Sequence, residues 1–152
     1  MHALLKAKQM SEFLGFDHVD TRVRSLTAVE DFYDKLMPEI GFPDKDFHIV
    51  NAAGEWRRAT PEEKYNTVEY HERRSDGQPA HFIGFIEDPS MQPVSTRIAF
   101  RIGSAAKLDR WIAFLRGIGA CKIESSSSYE DWPAVFFEDP AGTKLEIVGR
   151  ER

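Results

Sequence analysis

The sequence predicts an α+β protein built from two βαβββ modules, and three observations carry that prediction. First, residues 16–42 (FDHVDTRVRSLTAVEDFYDKLMPEIGF) return in altered form at 96–120 (TRIAFRIGSAAKLDRWIAFLRGIGA). His18 falls on Arg97, Arg22 on Arg101, Phe32 on Trp111 and Leu36 on Leu115, positions that all differ by 79. Second, the apolar period in each copy switches from two residues to about 3.6, as it does where a strand feeds an amphipathic helix. Third, three further strand-like runs follow each copy. A chain of 152 residues suits one shared core, so the expectation is a single domain of two modules, 14–90 and 91–149, behind an N-terminal arm or helix at 1–13.

The arm spaces Ala3, Leu4, Ala7 and Met10 along one helical face, and Lys6, Lys8 and Glu12 interrupt it, unlike the core of a signal peptide. The first strand, 17–24, alternates Val19, Thr21 and Val23 on one face with His18, Asp20 and Arg22 on the other. Leu26, Val29, Phe32, Tyr33, Leu36, Met37 and Ile40 then recur at three- and four-residue steps, which predicts a helix lying on the Val19 face. Thr27 and Glu30 have the spacing of a capping box, and Gly41 with Pro43 ends the helix. Strands follow at 46–51, 67–73 and 80–87, separated by the breaker-rich Ala52-Ala53-Gly54, Thr60-Pro61 and Ser75-Asp76-Gly77. After a linker at 89–95, the second module repeats the scheme. Its strand is 97–102, and its helical stripe is Leu108, Trp111, Ile112, Leu115 and Ile118. Strands at 121–124, 134–138 and 143–148 complete it, with a polar loop at 125–128 and a turn at Asp139-Pro140-Ala141-Gly142.

A formal net charge of −5 argues against a nucleic-acid partner, which calls for a basic stripe. No uncharged apolar run approaches the roughly 18 residues of a membrane span, so no membrane partner is expected. Cys121, the lone cysteine, cannot form an internal disulfide and reads as a buried thiol in a protein expected in the cytoplasm.

Three stretches, in this order, resemble the vicinal oxygen chelate superfamily of glyoxalases, bleomycin- and fosfomycin-resistance proteins and extradiol dioxygenases. They are the His18 strand with DFYDKLMPEIGF, the strand RIAFRI, and the closing VFFEDPAGTKLEIV. The likeness spans about residues 14–149. It implies a curved eight-stranded mixed sheet with helices outside, a central cup for a metal and a small ligand, and a homodimer. In metal-binding members the ligands come from the first and last strands of each module. His18 and Glu146 match two such positions. Arg97 stands at the third, and aligning Ile83-Gly84-Phe85-Ile86 with Leu145-Glu146-Ile147-Val148 puts Gly84 at the fourth.

A catalytic zinc or iron takes three or more protein ligands, and a guanidinium about 4 Å from a divalent cation is repelled by roughly 8 kcal/mol at an effective dielectric of about 20. The expected cofactor is therefore either one divalent ion (zinc, nickel, manganese or iron) in an incomplete site or, as the preferred reading, none. Glu69 and His71, which share a strand face, are the best substitutes for a displaced site, with His81 and Asp20 behind them.

Alternation directs His18, Asp20, Arg22, Arg97, Ala99, Arg101 and Glu146 into the implied cup. Arg97 with Arg22 or Arg101 suits bidentate recognition of a carboxylate or phosphate, and His18 or Glu146 is the candidate catalytic base. Trp56, Tyr70 and Trp132, together with Tyr65 and Tyr129, lie on or near long loops and are candidate pocket walls. Three functions fit. One is a metal-dependent lyase, isomerase or dioxygenase acting on a small polar or anionic molecule. Another is a metal-free module that binds or sequesters such a molecule. The last is a non-catalytic dimer whose cup is closed by ion pairs, Arg97 with Glu146 and Asp20 with Arg22 or Arg101.

Overall fold

The computed structural model describes residues 15–126 and 132–150. Its first module runs β1 (His18–Val23), α1 (Leu26–Ile40), β2 (Asp44–Val50), β3 (Trp56–Ala59), β4 (Thr67–His71) and β5 (Phe82–Glu87). The second runs β6 (Arg97–Ile102), a 3-10 turn (Ala105–Lys107), α2 (Leu108–Gly117), β7 (Cys121–Ser126), β8 (Ala134–Glu138) and β9 (Lys144–Gly149). The N-terminal arm at 1–13 and Tyr129 lie outside the described residues. No helix among the described residues is long and apolar enough to cross a membrane.

The strands hydrogen-bond as two sheets, ordered β1-β5-β4-β2-β3 and β6-β9-β8-β7. The implied continuous sheet of eight strands is thus nine strands in two sheets. The additional strand is β3, four residues pinned between two breaker clusters. It forms because Asn51 builds the hairpin to β2, its side-chain oxygen accepting the N–H groups of Ala53 and Glu55 at 3.0 Å each. In both modules the first strand runs parallel to the last in the same register. His18 faces Phe82 and Asp20 faces Gly84, while Arg97 faces Lys144 and Ala99 faces Glu146. Gly84 and Glu146 are therefore equivalent positions, as the alignment of their strands implies.

One face of each sheet is apolar and covered by helix. Val23, Val68, Ile83 and Phe85 pack with Leu26, Val29, Phe32, Tyr33, Leu36 and Met37 of α1, and Phe100, Val135, Phe137, Leu145 and Ile147 pack with Trp111 and Leu115 of α2. All of these belong to one continuous cluster that crosses the module boundary, where Phe42 meets Phe100 edge to face at 6.5 Å. Each fully buried aliphatic or aromatic side chain here contributes about 1.5–3 kcal/mol by leaving water, so the shared core binds the two halves together.

The capping box at the start of α1 does not form. Ser25 at the N-cap makes no side-chain bond, and the Leu26 N–H instead donates to Glu87 Oε2 at 2.8 Å, a carboxylate well placed for the helix dipole. Glu30 is engaged elsewhere, accepting from Lys45 Nζ at 2.6 Å and Tyr65 Oη at 2.7 Å. At the other end Gly41, with φ of 118°, adopts the left-handed conformation that lets its N–H reach the carbonyls of Met37 and Pro38. Cys121 is exposed, not buried, because it opens β7, the edge strand of its sheet. That strand also runs on through Ser125 and Ser126, which the sequence places in a loop.

A buried polar contact ties the modules. The hydroxyl of Tyr33, in α1, donates to Asp139 Oδ2 at 2.7 Å. Asp139 Oδ1 accepts the N–H groups of Ala141 at 2.8 Å and Thr143 at 2.9 Å, closing the turn that leads into β9. Burial, with the Asp139 carboxylate beside it, pushes the Tyr33 phenol well above its ordinary pKa and keeps it a donor. Tyr33→Phe leaves a buried carboxylate oxygen short of a partner and should cost about 1–3 kcal/mol. Asp139→Ala, which also opens the turn, should cost more. Urea unfolding followed by tryptophan fluorescence checks both, and a Tyr33→Phe midpoint equal to wild type would refute the role given to this bond.

Candidate functional site

The face opposite the helices is polar, and strand register arranges it in rows. Across β1, β5, β4 and β2 these rows are His18–Phe82–His71–Asp44, Asp20–Gly84–Glu69–Asp46 and Arg22–Ile86–Thr67–His48. In the first row the Phe82 ring is sandwiched. His18 stacks on it at 4.4 Å with 5° between planes, and His71 at 4.8 Å with 24°. Phe82 thereby sets the plane of both imidazoles.

In the second row Gly84 has no side chain, and the carboxylate of Asp20 leans into the vacated space. A Cβ on Gly84 would lie 2.5 Å from Asp20 Oδ1 and 3.7 Å from Glu69 Cγ. His18 is held from both sides, its Nδ1 2.7 Å from Asp17 Oδ2 and its Nε2 3.7 Å from Asp20 Oδ2. The hydrogen bond to Asp17 is the main cause of a His18 pKa raised above 6.5. Partial burial opposes it, and the charges of Asp20 and Glu69 assist.

Two strands further in, Asp46, Glu69 and His71 bring their ligating atoms within 4.8 Å of one another. His71 Nε2 lies 3.1 Å from Glu69 Oε2 and 3.6 Å from Asp46 Oδ2, and His48 Nδ1 lies 3.8 Å from Glu69 Oε2. Sequence reasoning singled out Glu69 and His71 but missed Asp46 and His48. The signal was a doubled acid-x-His pattern, Asp46-Phe47-His48 and Glu69-Tyr70-His71, on strands that prove to be neighbours.

On the second sheet the same face carries Arg97, Arg101, Phe136 and Glu146. The Arg97 guanidinium lies over the Phe136 ring at 4.4 Å, leaning across β9 toward β8 and away from the open edge of β6. Among the described residues no ion pair within 4 Å joins Arg97 to Glu146, or Asp20 to Arg22 or Arg101. Arg97 lines a cavity of about 260 Å³, in which Glu138 is bonded to both Lys122 and Lys144. A larger cavity, about 410 Å³, lies where β1 and β6 approach each other and takes its walls from both modules, His18, Phe42 and Phe82 with Ile98, Phe100 and Arg101.

The remaining candidates scatter. Arg22 is exposed on β1. Trp56 opens β3, its ring 5.9 Å from that of His48. Trp132 is half exposed and carries the Arg150 guanidinium at 4.1 Å. Tyr70 does not line this face. Alternation turns it toward the helices, where it is 2% exposed and donates to Asp34 Oδ1 of α1 at 2.7 Å. The four positions at which the resemblance places metal ligands do not fit a metal. Gly84 has no donor and its space belongs to Asp20, Arg97 is a donor-only cation, and only His18 and Glu146 could ligate.

Neither a family model nor a curated protein matches the chain by sequence. Its structure is similar to a glyoxalase/bleomycin resistance protein from Albidiferax ferrireducens, with a TM-score of 0.56, 20% identity, and coverage of 89% of this chain and 98% of that one. It is also similar to the fosfomycin resistance protein FosX of Listeria monocytogenes, with a TM-score of 0.58, 14% identity, and coverage of 90% and 93%. A mutant of that FosX, complexed with Mn(II) and 1S,2S-dihydroxypropylphosphonic acid, matches with a TM-score of 0.55, 14% identity, and coverage of 89% and 91%. The fold is thus the glyoxalase-like fold that these proteins share.

Because the Asp17 hydrogen bond dominates the raised pKa of His18, Asp17→Asn should lower it further than either Asp20→Asn or Gly84→Ala. The stabilisation tied to a raised histidine pKa is fully present below 6.5 and is lost as pH rises through the folded value. An NMR titration of the His18 ring in the three variants measures the order directly, and a larger drop in Asp20→Asn than in Asp17→Asn would reverse the assignment.

Proposed function

We propose that this glyoxalase-fold protein binds a small molecule with an anionic head and an apolar body in the cavity between its modules. The observation that carries the reading is the convergence of His18 and Arg101 on a cavity of about 410 Å³ walled by Phe42, Phe82, Ile98 and Phe100. That volume, and a few polar groups set against an apolar wall, is what small-ligand sites share.

Arg101 makes no ion pair among the described residues, so its planar fork is available for a carboxylate, phosphate or phosphonate. His18, its pKa raised above 6.5 by the hydrogen bond to Asp17, is the second polar group on the cavity, with the Asp17 carboxylate beside it on the same wall. The phosphonate in the complexed FosX is a ligand of the kind such a pair would hold. Arg97 on its Phe136 shelf adds a further guanidinium on the same face.

Binding or sequestration is favoured over metal-dependent lyase, isomerase or dioxygenase chemistry at the four implied positions, because those positions supply two donors and a guanidinium. A cup closed by ion pairs is disfavoured because neither Arg97 nor Arg101 makes an ion pair among the described residues. Calorimetry with phenylphosphonate, phenyl phosphate and benzoate tests the proposal. Arg101→Ala should weaken binding roughly 10- to 100-fold, the worth of a hydrogen bond to a charged group, and Arg101→Lys should recover part of it. Benzoate affinity should fall as pH rises through the His18 pKa, and this dependence should vanish in His18→Gln. Equal affinity in wild type and Arg101→Ala, or binding of none of the three probes, would overturn the reading.

A further inference from the structure

We propose that the helix-free face of the first sheet holds one divalent transition-metal ion between Asp46, Glu69 and His71, with His48 as a fourth ligand. The site is separate in position from the anion cavity. It draws on β2 and β4, whereas the positions implied by the fold's relatives lie on β1, β5, β6 and β9.

Asp46 and Glu69 sit directly opposite each other on neighbouring antiparallel strands and on the same face, an arrangement in which like charges repel. Glu69 is only 12% exposed, so water screens it poorly. Arg58 reaches Asp46 at 3.4 Å, but its side chain is 76% exposed and it does not touch Glu69. What does reach both carboxylates is His71, whose Nε2 lies 3.1 Å from one and 3.6 Å from the other. The Phe82 ring holds that imidazole in plane. An imidazole pointing its nitrogen between two carboxylates is a ligand arrangement lacking only the cation.

A second observation points to the same place. His48 Nδ1 is fully buried and has no hydrogen-bond partner among the described residues, and it lies 3.8 Å from Glu69 Oε2. Buried polar atoms are rarely left unpaired, and a bound ion would give this one its bond. The two histidines approach Glu69 from opposite sides of the carboxylate pair, since His71 faces Asp44 and His48 faces Thr67 in the adjacent rows.

Two imidazoles and two carboxylates suit zinc, iron(II) or manganese(II) better than calcium or magnesium, which prefer all-oxygen shells. Metal–ligand bonds of about 2.0–2.2 Å allow one ion to bridge atoms up to about 4.4 Å apart. The 4.8 Å spread of the triad closes by small side-chain rotations.

The test titrates chelator-treated, full-length protein with Zn(II) and with Mn(II) by calorimetry. Wild type should bind one equivalent of at least one of the two. Glu69→Gln and His71→Gln should each weaken it roughly 100-fold or more, since even outer-shell losses cost 10- to 100-fold. His18→Gln and Glu146→Gln should bind as wild type does. Loss of metal in those two variants instead, or wild-type affinity in Glu69→Gln and His71→Gln, or no binding of either ion, overturns the proposal. Asp46→Asn separates ligation from folding. In metal-free protein its melting temperature should match or exceed wild type, because the facing charges are relieved, yet it should lose the rise that zinc gives wild type. A lower metal-free melting temperature would show the carboxylate pair to be stabilised by the protein itself and would remove the premise. Phenylphosphonate should still bind Glu69→Gln, with its affinity lowered only by the smaller elevation of the His18 pKa, so failure of one site does not read as failure of the other.

Discussion

A phenol from the first module and a carboxylate from the second meet inside a core that belongs to both, and much of the molecule's geometry follows from that meeting. Asp139 spends one oxygen on the backbone of its own turn and the other on Tyr33. The turn fixes where β9 starts, and β9 carries Glu146. Tyr33 stacks on Phe85 at 3.8 Å, and Phe85 is on β5, the strand that presents Gly84 and Phe82 to the other face. One buried bond therefore relates the last strand of each module. A buried carboxylate is tolerated here because every contact it makes is a donor.

The helix-free face shows what happens when a duplicated half-fold diverges. Equivalent positions hold His18 against Arg97, Asp20 against Ala99, and Gly84 against Glu146. The first sheet has collected carboxylates and imidazoles, and the second has collected guanidinium groups with Phe136 beneath one of them. At Gly84 the substitution is compensated locally. The Asp20 carboxylate moves into the volume a side chain would have filled, which a Cβ would forbid. At Arg97 the compensation is a shelf, an aromatic ring that holds a cation without neutralising it.

Most of the fold could be read in the sequence because it depends on periodicity. The stripe from Leu26 to Ile40 and the alternation of 97–102 each name their own element, and both appear where expected. The Asp139 turn was visible too, since its chemistry is local. β3 was not, because Trp56, Arg57, Arg58 and Ala59 alternate nothing and owe their strand to the Asn51 turn and to β2. The capping box failed for a similar reason. Thr27 and Glu30 have the right spacing, but Lys45 and Tyr65, distant in sequence, take Glu30. Tyr70 looked like a loop aromatic and is a core residue, because the strand containing it turns its even positions toward α1.

The site was half visible on the same grounds. His18, Arg97 and Arg101 stand out by composition and by their place in the repeat, whereas Asp46 and His48 acquire meaning only once β2 is paired with β4 in a particular register. A slip of one residue in β2 would turn Asp46 and His48 to the helix face, away from Glu69 and His71. Register also determines how the two charge sets communicate. The trough of carboxylates begins two strands from His18, and His18 lines the cavity that Arg101 enters from the other module. Negative charge in the trough raises the pKa of His18, which favours an anion in the cavity. A cation in the trough reduces that elevation while attracting the anion directly. The two effects oppose, and a cation and an anion held on the same face must influence one another equally in both directions, since linkage between binding free energies is reciprocal.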